Sequence, residues 1–134
     1  MQYANRNITE FIGNLILTYP DRFVINIYCK TKEAVDYFTN RFTGFFYDTN
    51  TIKAEKQDIV QFVNNNKELN IFKTIETINA RGKRCSFALI EDKFSIEVID
   101  NLIKPMCNLP VHLPSVFFAI SDINKDNAVY LLKY

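Results

Sequence analysis

Residues 116–134 read VFFAISDINKDNAVYLLKY. Val116 to Ile120 is an unbroken apolar run, Ala128 to Leu132 is a second, and the turn-forming residues Ser121 to Asn127 lie between them. Short runs rich in β-branched and aromatic residues, joined by a polar turn, predict a β-hairpin. A strand without polar alternation is covered on both faces, so Val116–Ile120 is the expected central strand.

Working back toward the N-terminus, Cys107-Asn108-Leu109-Pro110-Val111-His112-Leu113-Pro114 reads as an extended connector, because a residue before proline avoids the helical region. Before it, Ile99, Leu102, Ile103 and Met106 form the apolar face of a helix that Asp92 or Ser95 caps and Pro105 limits. Cys85 to Ile90 is an interior strand. Leu69 to Ile78 favours a strand for its isoleucines and threonines, pairing with Arg84–Ile90 across Asn79–Lys83; a helix stopped by Gly82 is the competing reading.

Ile52 to Val63 is expected to be helical, with Ile59, Phe62 and Val63 on one side and Asn64–Asn66 ending it. Phe45–Tyr47 reads as a short strand after Gly44 has stopped the helix that Thr31 caps, whose apolar positions are Val35, Phe38 and Phe42. Phe23 to Cys29 alternates as a strand, with Phe23, Ile25, Ile27 and Cys29 on one face and Val24, Asn26 and Tyr28 on the other. Asn7 and Glu10 propose a capping box for a first helix carrying Ile8, Phe11, Ile12, Leu15 and Ile16, which Pro20 ends. Gly13 weakens that helix by up to about 1 kcal/mol relative to Ala. The order predicts one α+β domain over residues 1–134: a mainly antiparallel sheet with a C-terminal hairpin and about four helices packed on it.

Composition supports a well-filled core. Of 134 residues 48% are apolar, with twelve Phe, seven Tyr and no Trp, while three Gly and four Pro leave little for a glycine-rich cofactor cradle. Sixteen basic against fifteen acidic side chains give a net charge of +1, too little for a whole-surface nucleic-acid footprint. No apolar stretch approaches the roughly 20 residues of a membrane span, and Asn5–Asn7 does not introduce a secretory segment. Three unpaired cysteines, Cys29, Cys85 and Cys107, favour reduced thiols and a cytoplasmic setting.

The chemistry-bearing residues are few. His112 is the single imidazole, so a nucleophile such as Cys107 has one possible base; without a local signature His112 reads as a polar residue of a proline-bracketed loop. Three Cys and one His match a zinc site in number but not in spacing, and no cofactor or metal is expected. Asp122-x-Asn124-x-Asp126 opens like a calcium loop, but Asn127 and Lys133 stand where Gly and Glu belong. Glu91-Asp92 and Glu97-Asp100 complement a helix dipole and could form an acidic patch.

Elimination therefore points to a non-enzymatic protein-binding domain, a small inhibitor or a toxin-neutralising, immunity-like antitoxin that occludes a partner protein. Its partner surface is expected to use Tyr47, Glu91, Asp92, Tyr130 and Tyr134. The alternative is a nucleic-acid-binding regulator using Lys73, Arg81, Lys83 and Arg84. A homodimer through an edge strand is a further expectation.

Overall fold

A computed structural model describes residues 8–73, 83–91, 93–110, 119–120 and 129–133, the side chains of Ile8, 119–120 and 129–133 excepted. Helix α1 (Ile8–Thr18) leads into strand β1 (Phe23–Tyr28) and helix α2 (Lys32–Phe45). Strands β2 (Ile52–Glu55), β3 (Ile59–Asn64), β4 (Lys67–Phe72) and β5 (Phe87–Glu91) follow. A third helical segment, α3 (96–106), is α-helical over Ile96–Val98, π-helical over Ile99–Ile103 and α-helical again over Lys104–Met106. Strands β6 (Ala119–Ile120) and β7 (Val129–Lys133) complete the sheet, whose order is β2-β3-β4-β1-β5-β7-β6.

The sheet is mixed. Strand β1 sits at its centre and is parallel to both neighbours, β4 and β5, whereas β2–β3, β3–β4, β5–β7 and β6–β7 are antiparallel. All six β1 residues are buried, as a strand between parallel neighbours requires. The expected central strand is thus displaced: Ala119–Ile120 stands at the end of the sheet, paired only with β7 among the described residues. Nor does β4 pair with β5, because β1 lies between them.

The two faces are those the alternation of β1 predicts. Phe23, Ile25 and Ile27 join Phe87, Leu89, Leu69, Ile71, Val60 and Phe62 under α1 and α2, which contribute Ile12, Ile16, Ala34, Val35, Phe38 and Phe42. Val24 and Tyr28 face the other way, toward Ile59, Phe72, Ala88, Ile90 and α3, where Ile103 is fully buried and Val98, Ile99 and Leu102 pack beside it. Thr31 caps α2 as predicted, its hydroxyl accepting from the Ala34 amide at 3.2 Å.

Three expectations along the chain are corrected. Residues 52–63 form the β2–β3 hairpin and not a helix, with Lys56 N donating to Ile59 O at 2.9 Å across the turn. Phe45 is the last residue of α2, so Gly44 lies inside the helix, and Phe46–Tyr47 form its terminating turn and not a strand. Helix α3 ends at Met106, one residue past Pro105, which limits it as expected. Among the described residues there are three helical segments, not four, and the capping residue Asn7 lies outside them.

Candidate functional site

Strands β4, β1 and β5 all end at the same rim of the sheet. From there the chain leaves β1 into α2, on one face, and leaves β5 into α3, on the opposite face. Adjacent parallel strands whose connections depart to opposite sides mark, at their carboxyl ends, the place where open α/β sheets hold ligands.

Glu91, the last residue of β5, decides how that end of the sheet is built. It is fully buried, and its Oε1 accepts from Lys30 N at 2.6 Å and Thr31 N at 3.0 Å, while Oε2 accepts from the Thr31 hydroxyl at 2.7 Å. One carboxylate thereby satisfies the β1–α2 turn and places negative charge at the amino end of α2. Burial, and next the Glu91 charge, pushes the neighbouring Cys29 thiol well above the ordinary thiol range.

The exposed rim is cationic. The Lys30 ammonium donates to Lys93 O at 3.2 Å and stands 5.9 Å from the centre of the Phe94 ring. Ser95 then caps α3, its hydroxyl accepting from Val98 N at 3.3 Å. Further along the same rim, a cavity of about 360 Å³ opens between α2 and the ends of β2 to β4. Its charges come in facing pairs, Lys32–Asp36 at 3.9 Å and Lys73–Glu55 at 3.6 Å, and the buried Thr39 Oγ1 on its wall has no hydrogen-bond partner.

Away from the rim, a row of amides crosses three strands at one level. Gln61 donates to Asn70 Oδ1 at 2.9 Å and also to Glu68; Asn70 donates to Asn26 Oδ1 at 3.0 Å; Asn26 donates to Lys83 O at 2.8 Å and to the Tyr28 hydroxyl at 3.0 Å. The row satisfies Asn26 and Asn70, both fully buried.

The residues singled out from sequence scatter. Tyr47 is 82% exposed, whereas Glu91 is turned inward and its carboxylate presents no patch. Asp92, Tyr134 and the side chain of Tyr130 lie outside the described residues, as do Arg81 and His112. The described cations of the basic cluster are each engaged: Lys73 with Glu55 and Lys56 O, Lys83 with Glu68 at 4.0 Å, and Arg84 with the Asn108 side chain at 2.5 Å. Cys29, Cys85 and Cys107 are buried free thiols, Cys107 donating to Ser86 O at 3.6 Å. Among the described residues no three potential metal ligands gather, and no helix is long and apolar enough to cross a membrane.

Sequence reasoning missed the Lys30, Thr31 and Glu91 constellation. Its signal was an acidic residue closing an apolar strand, together with a Lys-Thr pair opening a helix; neither marks a site until the fold makes the two strands neighbours.

An uncharacterized protein of Rickettsia prowazekii (strain Madrid E) is 28% identical to the chain over 123 residues, covering 90% of this chain. The chain spans 40% of that relative's length. No family model and no solved structure matches.

Proposed function

We propose that this protein acts by binding a phosphate-bearing small molecule at the carboxyl rim of its parallel strands. The observation that carries the reading is the departure of α2 and α3 to opposite faces from the adjacent strands β1 and β5. The chemistry follows from the rim. With Glu91 committed to the turn, the rim beside it carries the Lys30 ammonium, next to Lys93 O and Phe94, the exposed Lys93 and the amino end of α3, and all three favour an anion. Phe94 offers an apolar wall beside them. The test is calorimetric titration with a nucleoside triphosphate and with pyrophosphate, each with and without magnesium. Lys30→Ala combined with Lys93→Ala should weaken binding by about tenfold or more at low salt. Absence of binding by every one of these probes would reject the reading.

A second reading, the protein-binding inhibitor or immunity-like role, draws on the opposite end of the sheet. Tyr47, in the turn after α2, and Ile52, the first residue of the end strand β2, are 82% and 69% exposed. An exposed aromatic and an exposed residue on the end strand suit a protein partner. Loss of a co-purifying protein in Tyr47→Ala with Ile52→Ser supports that role, and its retention counts against it.

A further inference from the structure

We propose that strand β2 is a self-complementary edge that pairs antiparallel with β2 of a second copy. The inference names the partner for the edge of the second reading above and is independent of any ligand at the rim.

Among the described residues, no strand lies outside β2 in the sheet. Its hydrogen-bond parity is fixed by the turn: Lys56 N donates to Ile59 O, so residue 56 faces β3, and with it Ala54 and Ile52. Lys53 and Glu55 are therefore the residues whose backbone N–H and C=O point away from the sheet. A two-fold axis through Ala54 places Lys53 of each copy opposite Glu55 of the other. Both are then hydrogen-bonded pairs, and each puts an ammonium across from a carboxylate on one face.

The same register sets Ala54 against Ala54, the smallest contact the strand could make at its centre. Ile52 comes opposite Lys56, whose methylene stem can cover it. No other register of this strand pairs opposite charges twice while keeping outward-facing residues in the hydrogen-bonded positions. Antiparallel edge pairing is isologous, so the contact closes at two copies and does not propagate. Within its own copy Glu55 already lies 4.0 Å from Lys53 and 3.6 Å from Lys73, at a side chain still 56% exposed, so the partner's Lys53 would join an existing charge network.

Sedimentation equilibrium of the full chain tests this. The wild type should be dimeric, and Glu55→Lys, which sets lysine against lysine twice, should raise the dissociation constant about tenfold or more. Lys53→Glu should do the same. The double exchange Lys53→Glu with Glu55→Lys keeps the pairing and should restore the dimer, as should an equimolar mixture of the two single variants. Hydrogen exchange supplies a second readout: amides of Lys53 and Glu55 should gain protection as concentration rises, while those of Ile52 and Ala54, already bonded to β3, should not change.

A monomeric wild type overturns the proposal, as does a dimer indifferent to Glu55→Lys with unchanged exchange at residues 53 and 55. A heterologous partner at this edge is a separate outcome. It would be captured by monomer and lost with Tyr47→Ala and Ile52→Ser, but would not respond to the restoring charge exchange.

Discussion

The two faces of one sheet are built from the same strands by different means. On the α1–α2 face the contacts are aromatic and continuous: Phe42 lies 6.4 Å from Phe38, 5.9 Å from Phe46 and 6.2 Å from Phe62. On the α3 face Tyr28 stacks on Phe72 at 5.1 Å, but beside them runs the amide row Gln61–Asn70–Asn26. The aromatic face gains from burial with no demand on direction, whereas the amide row is favourable only while every member keeps its partner. One face should therefore lose stability in proportion to volume removed, and the other according to which polar atom is orphaned.

The largest expected effect is on the aromatic face. Phe42→Ala removes a fully buried ring from the middle of the cluster and should cost about 3–5 kcal/mol in urea unfolding. A loss below 1 kcal/mol would mean that this face is not the denser of the two.

Alkaline pH probes both faces together, because each holds one strongly shifted thiol. Cys29, under α2, is pushed up by burial and then by Glu91; Cys85, against α3, is pushed up by the Cys107 hydrogen bond and then by burial. The unfolded chain releases these protons near pH 8.5 and the native state retains them, so above that value the unfolded state binds fewer protons. Stability should fall by about 1.4 kcal/mol per pH unit for each thiol between roughly pH 8.5 and 10. Cys29→Ala and Cys85→Ala should each make the combined slope shallower. Lys67, lowered by desolvation, has the opposite sign just below the ordinary lysine value of about 10.4.

Asn26→Ala strands the Asn70 amide and should cost about 1–3 kcal/mol. Adding Asn70→Ala should cost less than the sum of the two single changes, by about 0.5 kcal/mol or more, since both belong to one network. Strict additivity would show that the row is not a unit.

The smallest effects separate two helical glycines. A methyl group at Gly13 would collide with the Phe45 ring, whereas one at Gly44 would meet nothing within 4 Å. Gly44→Ala should stabilise by about 0.5–1 kcal/mol, and Gly13→Ala should destabilise by about 1–3 kcal/mol despite the better helix propensity. Thermal melts of the two variants should shift in opposite directions.

This last pair shows where the sequence was legible. Helix propensity alone favours alanine at position 13; the aromatic ring that forbids it arrives from the end of a different helix. The first helix, β1, the Thr31 cap, most of the strand that ends at Glu91, and Ser95 as one of two candidate caps are readable, because each rests on local periodicity or a single capping side chain. The β2–β3 hairpin was not, since Ile59, Phe62 and Val63 satisfy a helical spacing as well as a short strand does. Nor was the position of each strand in the sheet. An apolar run marks burial, but a place at the centre depends on pairings such as Ile25 with Leu69 and with Phe87, contributed by distant stretches of chain. In the sequence Glu91 reads as surface charge for the same reason: the donors that bury it, at Lys30 and Thr31, are some sixty residues away.

The amide row has a consequence for assembly. Strands β1 and β4 run parallel, so no tight turn ties their alignment as the Asn65 turn, with its φ of 53°, ties β3 to β4. Apolar side chains alone would tolerate a two-residue slide that keeps each face oily. Asn26, Asn70 and Gln61 do not, because either slide breaks the Asn70–Asn26 bond, setting Asn26 against Phe72 in one direction and Asn70 against Tyr28 in the other. The three side chains act as a detent that clicks the sheet into one alignment.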